Sequence, residues 1–445
     1  MTAPRQRTRL ATATLALTLL AAACGADGDD STTGAATATT TASATTAAGA
    51  PTTKAAGHDD HGKAPAGAKE VDDPAPRLLV ADAKQPSVKV VDLATGTTVT
   101  SLTVPGAARV YTAGRHVFAT VGSAKRLEVI DPGTWAQPHG DHFHFYVSEP
   151  KLTTLGLAAD NPVHVVDHHG LVAVFNDGDG TVLVIDTHKL GESDAIVARL
   201  NTGAAHHGVA LALEDLGVAI VSTPVAGGPL PNGVAVVDLK TGTERERFQN
   251  CPDLHGEAAT DTVIAFGCSD GVLLLEPHKG HWHAHKVDRP AGYTGPIRTG
   301  TLHAGHDLPF LVGNLGNEAL VRIDIESETA TAIPLPTRMA SFALDPVRKV
   351  VLVATIDGKV HRIDPKTGAV LQSVEAIAAF TPATGHGGAP NPALHVAGDR
   401  AYLTDPANGQ VVELGIVDEL RVARKLAVGG NPASITVAGL PDAGH

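Results

Sequence analysis

Three imidazoles and a carboxylate fall within six residues of this chain, in His139-Gly-Asp141-His142-Phe-His144. In an extended backbone His142 and His144 share one face, while Phe143 and Phe145 take the other. Two imidazoles on one face are half of a site for a borderline-soft divalent metal. A solvated surface pair is the plain alternative. The choice rests on where the elements of the fold place the other histidines of a chain that holds 23 in 445 residues.

A second cluster, His58-Asp59-Asp60-His61, lies in a stretch of Ala, Thr, Gly and Asp with almost nothing to bury. By composition, residues 24–75 are a disordered linker. A coil of about fifty residues reaches roughly 40 Å, so this pair is either a mobile metal-binding tail or a polar spacer. Ahead of it, Arg5, Arg7 and Arg9 precede an apolar run from Leu10 to Leu20. That run is too short to span a bilayer comfortably and reads as an export signal over residues 1–23. Leu20-Ala-Ala-Ala-Cys24-Gly resembles a bacterial lipobox, with Cys24 as the lipidated first residue; an ordinary signal peptide cut after Ala23 is the alternative. The expected location is the outer face of the cytoplasmic membrane, reached only through this N-terminal anchor. Net charge is −13, which argues against a nucleic-acid partner.

The elements that must position the histidines are announced by a repeat. Short apolar strands end in an acid at Asp92, Asp131, Asp186, Asp238, Glu276, Asp324, Asp364 and Glu413, spaced 38 to 55 residues apart. Several run into a Thr-Gly turn, with a β-branched run upstream and a more polar strand downstream. Four strands at this period describe a β-propeller blade, and eight acids give eight blades over residues 76–440, with seven as the alternative count. Residues 441–445 form a short tail. The first blade, starting at Arg77, lacks an innermost strand, and Pro432–Val437 is left over at the far end. Pairing the two closes the ring and removes its open edges.

Innermost strands line the central channel, so their side chains converge there. Reading back from each acid gives Arg109, His164, His206 or His207, His255, His303 and His395 near the strand starts. This alignment with the blade repeat points to a metal or anion site in the channel. One zinc ion takes four of these side chains at most, leaving the others as hydrogen-bond partners. The stretch carrying His142 and His144 sits in an enlarged connection after Asp131, long enough to fold over the channel mouth. Asp141 and His139 then support the ligands from behind. Cys251 and Cys268 are free to pair in an oxidising compartment, stapling the segment of His255 to the next strand; a two-cysteine contribution to a metal is the alternative. His281, His283 and His285 fall on an outermost strand. His168 and His169 lie in a loop at the far end of the strand from His164. His188, His278, His361, His386 and His445 read as solvated or capping residues. Gly267-Cys-Ser269-Asp-Gly271 matches a nucleophile-elbow pattern but joins two strands, where that elbow needs a strand–turn–helix.

The export signal, the His/Asp tail, the propeller repeat, His-Gly-Asp-His-x-His and Cys-Pro-x-Leu-His255-Gly together resemble the AztD family of extracytoplasmic zinc metallochaperones. The resemblance implies a non-catalytic protein that binds zinc and passes it to the solute-binding protein of a zinc ABC importer; a monomer is expected. Carried over by motif, His142, His144 and His255 are ligands; His207 joins them by register. His164, His206, His303 and His395 form a second tier, and His58 and His61 match the family's flexible tail. The competing class is a propeller enzyme of lactonase or dehydrogenase type, whose metal would need carboxylates and an open position for water. A third class is a plain interaction scaffold.

Overall fold

The computed structural model describes residues 67–295, 297–382 and 390–441. The expected sites at Cys24, His58, Asp59, Asp60 and His61, together with His386 and His445, lie outside the described residues.

Within them are eight four-stranded antiparallel sheets and one three-stranded sheet. Glu276 and Glu413 lie two residues inside the third strands of their blades, and Glu413 accepts from the Arg400 and Arg424 guanidinium groups. The six aspartates of the repeat instead sit at or just past the end of theirs, and their carboxylates capture backbone N–H groups of the turn that follows. Asp92 accepts from Thr95 at 2.7 Å, Asp238 from Thr241 at 2.8 Å, Asp324 from Ser327 at 3.0 Å and Asp364 from Lys366 at 2.8 Å. A short carboxylate reaching two or three residues ahead is an Asx turn, so the repeat is structural. The second strands, such as Arg77–Asp82, His116–Val121, Leu171–Asn176 and Val350–Thr355, are buried along their whole length. They are covered by neighbouring blades on both faces, which explains their unbroken apolar runs. Fourth strands such as Thr98–Thr103 and Val370–Glu375 alternate with solvent.

The ring closes as the spare strand suggests. Pro432–Ala438 pairs antiparallel with Arg77–Asp82, Leu79 opposite Thr436, and supplies the innermost strand of the first blade. Asp82 locks the junction by accepting the Asn431 N–H at 2.7 Å.

Strand direction fixes which side chains can meet. Successive strands of a blade run in opposite senses. The connections that enter each innermost strand, and the turns between second and third strands, therefore share one end of the channel, the entry end. Turns between first and second strands, and between third and fourth, share the opposite, exit end.

Candidate metal centre

Three histidines converge at the entry end. His164 is the third residue of the innermost strand Pro162–His168 of the third blade. His207 and His255 lie in the connections that lead into the innermost strands Ala210–Leu213 and Glu257–Ala259 of the fourth and fifth. Their ring centroids form a triangle with sides of 5.3, 5.4 and 4.8 Å. One ligand nitrogen from each lies within 4.8 Å of the others. Tetrahedral zinc needs nitrogen atoms roughly 3.3 Å apart, from Zn–N bonds of about 2.0–2.1 Å. Modest side-chain rotation closes that gap.

The ring orientations are set from behind. The Nδ1 of His207 lies 2.5 Å from the Asp177 carboxylate, and that of His255 donates to the Gly300 carbonyl at 2.5 Å. The Nδ1 of His164 faces Glu257 at 3.6 Å, an ion-pair separation. With each Nδ1 side engaged, Nε2 is the nitrogen each ring has left for a metal, the arrangement by which shell carboxylates and carbonyls fix the tautomer of a ligand. Burial, with the charges of His164 and Arg298, pushes His255 down to about 4, so its imidazole is neutral and ready to ligate. Burial also opposes the charged form of His164, but Glu257 and Asp177 outweigh it and its pKa is raised. Zinc must displace a proton there.

Local sequence explains the placement. Cys251 and Cys268 are disulfide-bonded across 17 residues, and the His255 N–H donates to the Gly267 carbonyl at 2.9 Å beside that bond. The connection carrying His255 is thus stapled to the second strand of its own blade. Gly256 follows with φ of 78°, where a Cβ would sit 2.7 Å from the Gly300 carbonyl oxygen, so only glycine lets the chain approach this closely. His206 and His207 part company. The ring of His206 is buried between the Ser222 hydroxyl and the Ala204 carbonyl, each at 2.9 Å, and packs on Phe175. It holds the connection, leaving His207 to face the cluster.

His142 and His144 do not join this group. They lie on a hairpin, Thr134–His139 with His142–Val147, to which Lys69–Val71 adds a third strand. The hairpin is inserted between the third and fourth strands of the second blade and so leaves from the exit end. Strand parity, not loop length, decides this, and the expected folding over the mouth that holds His207 and His255 is not what the chain does. The hairpin instead gathers its own group, with His139, His142 and His144 ligand atoms within 4.8 Å of one another. His139 therefore stands among the nitrogens rather than behind them. Asp141 keeps a supporting place, 3.2 Å from the Nδ1 of His142. Glu70, 2.5 Å from the Nδ1 of His144, is a partner that no sequence pattern marks. The hairpin base is fixed by Arg77, whose Nη1 donates to the carbonyls of Pro132 and Ser148 at 2.6 and 2.9 Å.

His303 and His395 stand apart from both groups. Each is half-buried, and desolvation pushes each down to about 4; the ring of His303 packs edge-on against Phe342. His281, His283 and His285 lie on the outermost strand His281–Asp288 of the fifth blade.

Fold and site together define an eight-bladed β-propeller with a histidine triad, suited to a borderline divalent metal, at one end of its channel. No family model matches the chain. It is 32% identical over 370 residues to the zinc chaperone AztD of Citrobacter koseri, covering 82% of this chain and 86% of that protein. The crystal structure of Citrobacter koseri AztD superposes with a TM-score of 0.76 at 31% identity, covering 84% of this chain and 100% of that one. The apo form from the same organism gives 0.74 at 30% identity, with 82% and 98% covered. The protein belongs to the AztD family. The dihydro-heme d1 dehydrogenase NirN, at 13% identity and a TM-score of 0.56 over 83% of this chain and 76% of its own, shares the fold alone.

Proposed function

We propose that this protein is a zinc metallochaperone that holds zinc on His164, His207 and His255 and delivers it to the solute-binding protein of a zinc ABC importer. The observation that carries the reading is the triad of imidazoles, each with Nδ1 engaged and Nε2 left to ligate. Three neutral nitrogens leave one tetrahedral position for a ligand from a partner, so handover proceeds by exchange. The incoming side chain binds before a triad histidine leaves. His58 and His61 in the linker recruit or shuttle the ion, and Cys24 carries the lipid that keeps the protein on the outer face of the cytoplasmic membrane.

An enzyme would place a water at the open position and a free carboxylate beside it. Glu257 has one buried oxygen without a hydrogen-bond partner, the feature that favours this second reading. Its other oxygen faces His164, and Asp177 is taken up by His207. Both acids thus serve the ligands, which supports storage over turnover.

Competitive zinc titration against a chromogenic chelator tests the reading. His207→Ala and His255→Ala should each weaken the tightest equivalent by at least about 100-fold while thermal unfolding stays cooperative. Undiminished affinity in both folded variants refutes the triad. Failure of the zinc-loaded protein to load an importer's solute-binding protein faster than free exchange through a chelator refutes delivery.

A further inference from the structure

The exit end carries a further convergence of ligating side chains, separate from the hairpin. His169, Asp261 and His306 occupy the turn between first and second strands in the third, fifth and sixth blades respectively. Because these are equivalent turns, all three side chains emerge at the same end, opposite the triad. One ligand atom from each lies within 4.8 Å of the others. The Nδ1 of His306 is 3.0 Å from the Asp261 carboxylate, and the Asp261 N–H donates to the His306 carbonyl at 3.4 Å. The His169 ring comes within 5.3 Å of the His306 ring, centroid to centroid.

We propose that His169, Asp261 and His306 form a second divalent-cation site at the exit end of the channel. A surface ion pair accounts for His306 and Asp261, but not for His169. That residue arrives from a blade two places from that of Asp261 and three from that of His306, in the two-residue hairpin turn it forms with Gly170. The Asp261 turn is preorganised by the buried Thr260, whose hydroxyl accepts the Thr262 and Val263 N–H groups at 3.4 and 3.1 Å. Two imidazole nitrogens and one carboxylate oxygen are a borderline donor set that suits zinc, and three protein ligands leave a position open to solvent. All three residues are exposed, whereas the triad at the entry end is half-buried. The exit site is therefore the more weakly held and faster exchanging of the two.

The test uses the full-length protein stripped of metal and then given zinc alone. Crystals grown with excess zinc should show an anomalous peak bonded to His169 and His306 in addition to one at the triad. A filled triad with no density between His169, Asp261 and His306 overturns the proposal. In solution, His169→Ala/His306→Ala should lose one weak equivalent and keep the tight one, and Asp261→Asn should weaken that same equivalent about tenfold. Equal zinc stoichiometry in the parent and the double variant also overturns it. The triad residues are untouched, so their equivalent reports separately whether the main site is intact.

Discussion

Asp177→Asn isolates what the residues behind the triad contribute. The carboxylate engages the Nδ1 of His207 at 2.5 Å and accepts the Gly208 N–H at 3.4 Å. With zinc on three neutral imidazoles, Asp177 and Glu257 together balance the double positive charge, and asparagine leaves half of it unmatched. At about 6 Å across the imidazole and an effective dielectric near 20, Coulomb's law sets a ceiling of about 5 kcal/mol for one such charge. Solvent reaches His207, whose side chain is 31% exposed, so the realised loss is smaller. Losses on removing partners of this kind run to about 10- to 100-fold in metal affinity, or roughly 1.4 to 2.7 kcal/mol. Competition with a chelator of known affinity at pH 7.5 measures it, alongside thermal unfolding. The expected result is one equivalent still bound, 10- to 100-fold more weakly, in a protein of unchanged melting behaviour. A folded variant whose affinity stays within about twofold would refute the charge-balance argument.

Two further outcomes follow from the same geometry. Reducing the Cys251–Cys268 bond, or replacing both residues by Ala, should cost about 3 kcal/mol for a loop of this length. It should also weaken zinc binding through His255, and denaturant titration with zinc competition reads both effects. His303 and His395 are held near 4 when folded, against 6.5 when exposed. As pH falls below 6.5 the unfolded chain takes up protons that the folded chain refuses. Stability should therefore decline from about pH 6.5 towards 4, by up to about 3 kcal/mol per histidine. Urea midpoints at pH 7, 6 and 5 that do not move would contradict it.

The parts of the molecule governed by local chemistry were readable from sequence. An acid followed by a Thr-Gly turn states its own hydrogen bonds, so Asp92, Asp238 and Asp364 marked the third strand of their blades directly. The unpaired remainder at Pro432 gave the closure of the ring. The register of basic residues brought out His164, His207 and His255, but ranked His164 below the denser run at His142 and His144. What the motif density hid was parity. A segment leaving after a third strand emerges at the exit end however long it is, so the two groups could not share one ion. His206 and His207 were separable only by packing, since Phe175 and Ser222 claim one ring from elements far along the chain. Glu70 sits on a three-residue strand with no pattern of its own. His169, Asp261 and His306 come from three turns that look unrelated until the blades are stacked.

Closure of the ring by its last strand also sets an order on synthesis. His164, His207 and His255 are all made before two-thirds of the chain is complete, yet the inner edge of the first blade stays open until Pro432–Ala438 is delivered. A ribosome that stops early therefore releases a stack of sheets with an exposed strand edge, ready to pair with another chain, rather than a smaller propeller. Quality control gets one unambiguous signal: a nonsense mutation upstream of Pro432 should read as an aggregation-prone product, however many ligating residues it already contains.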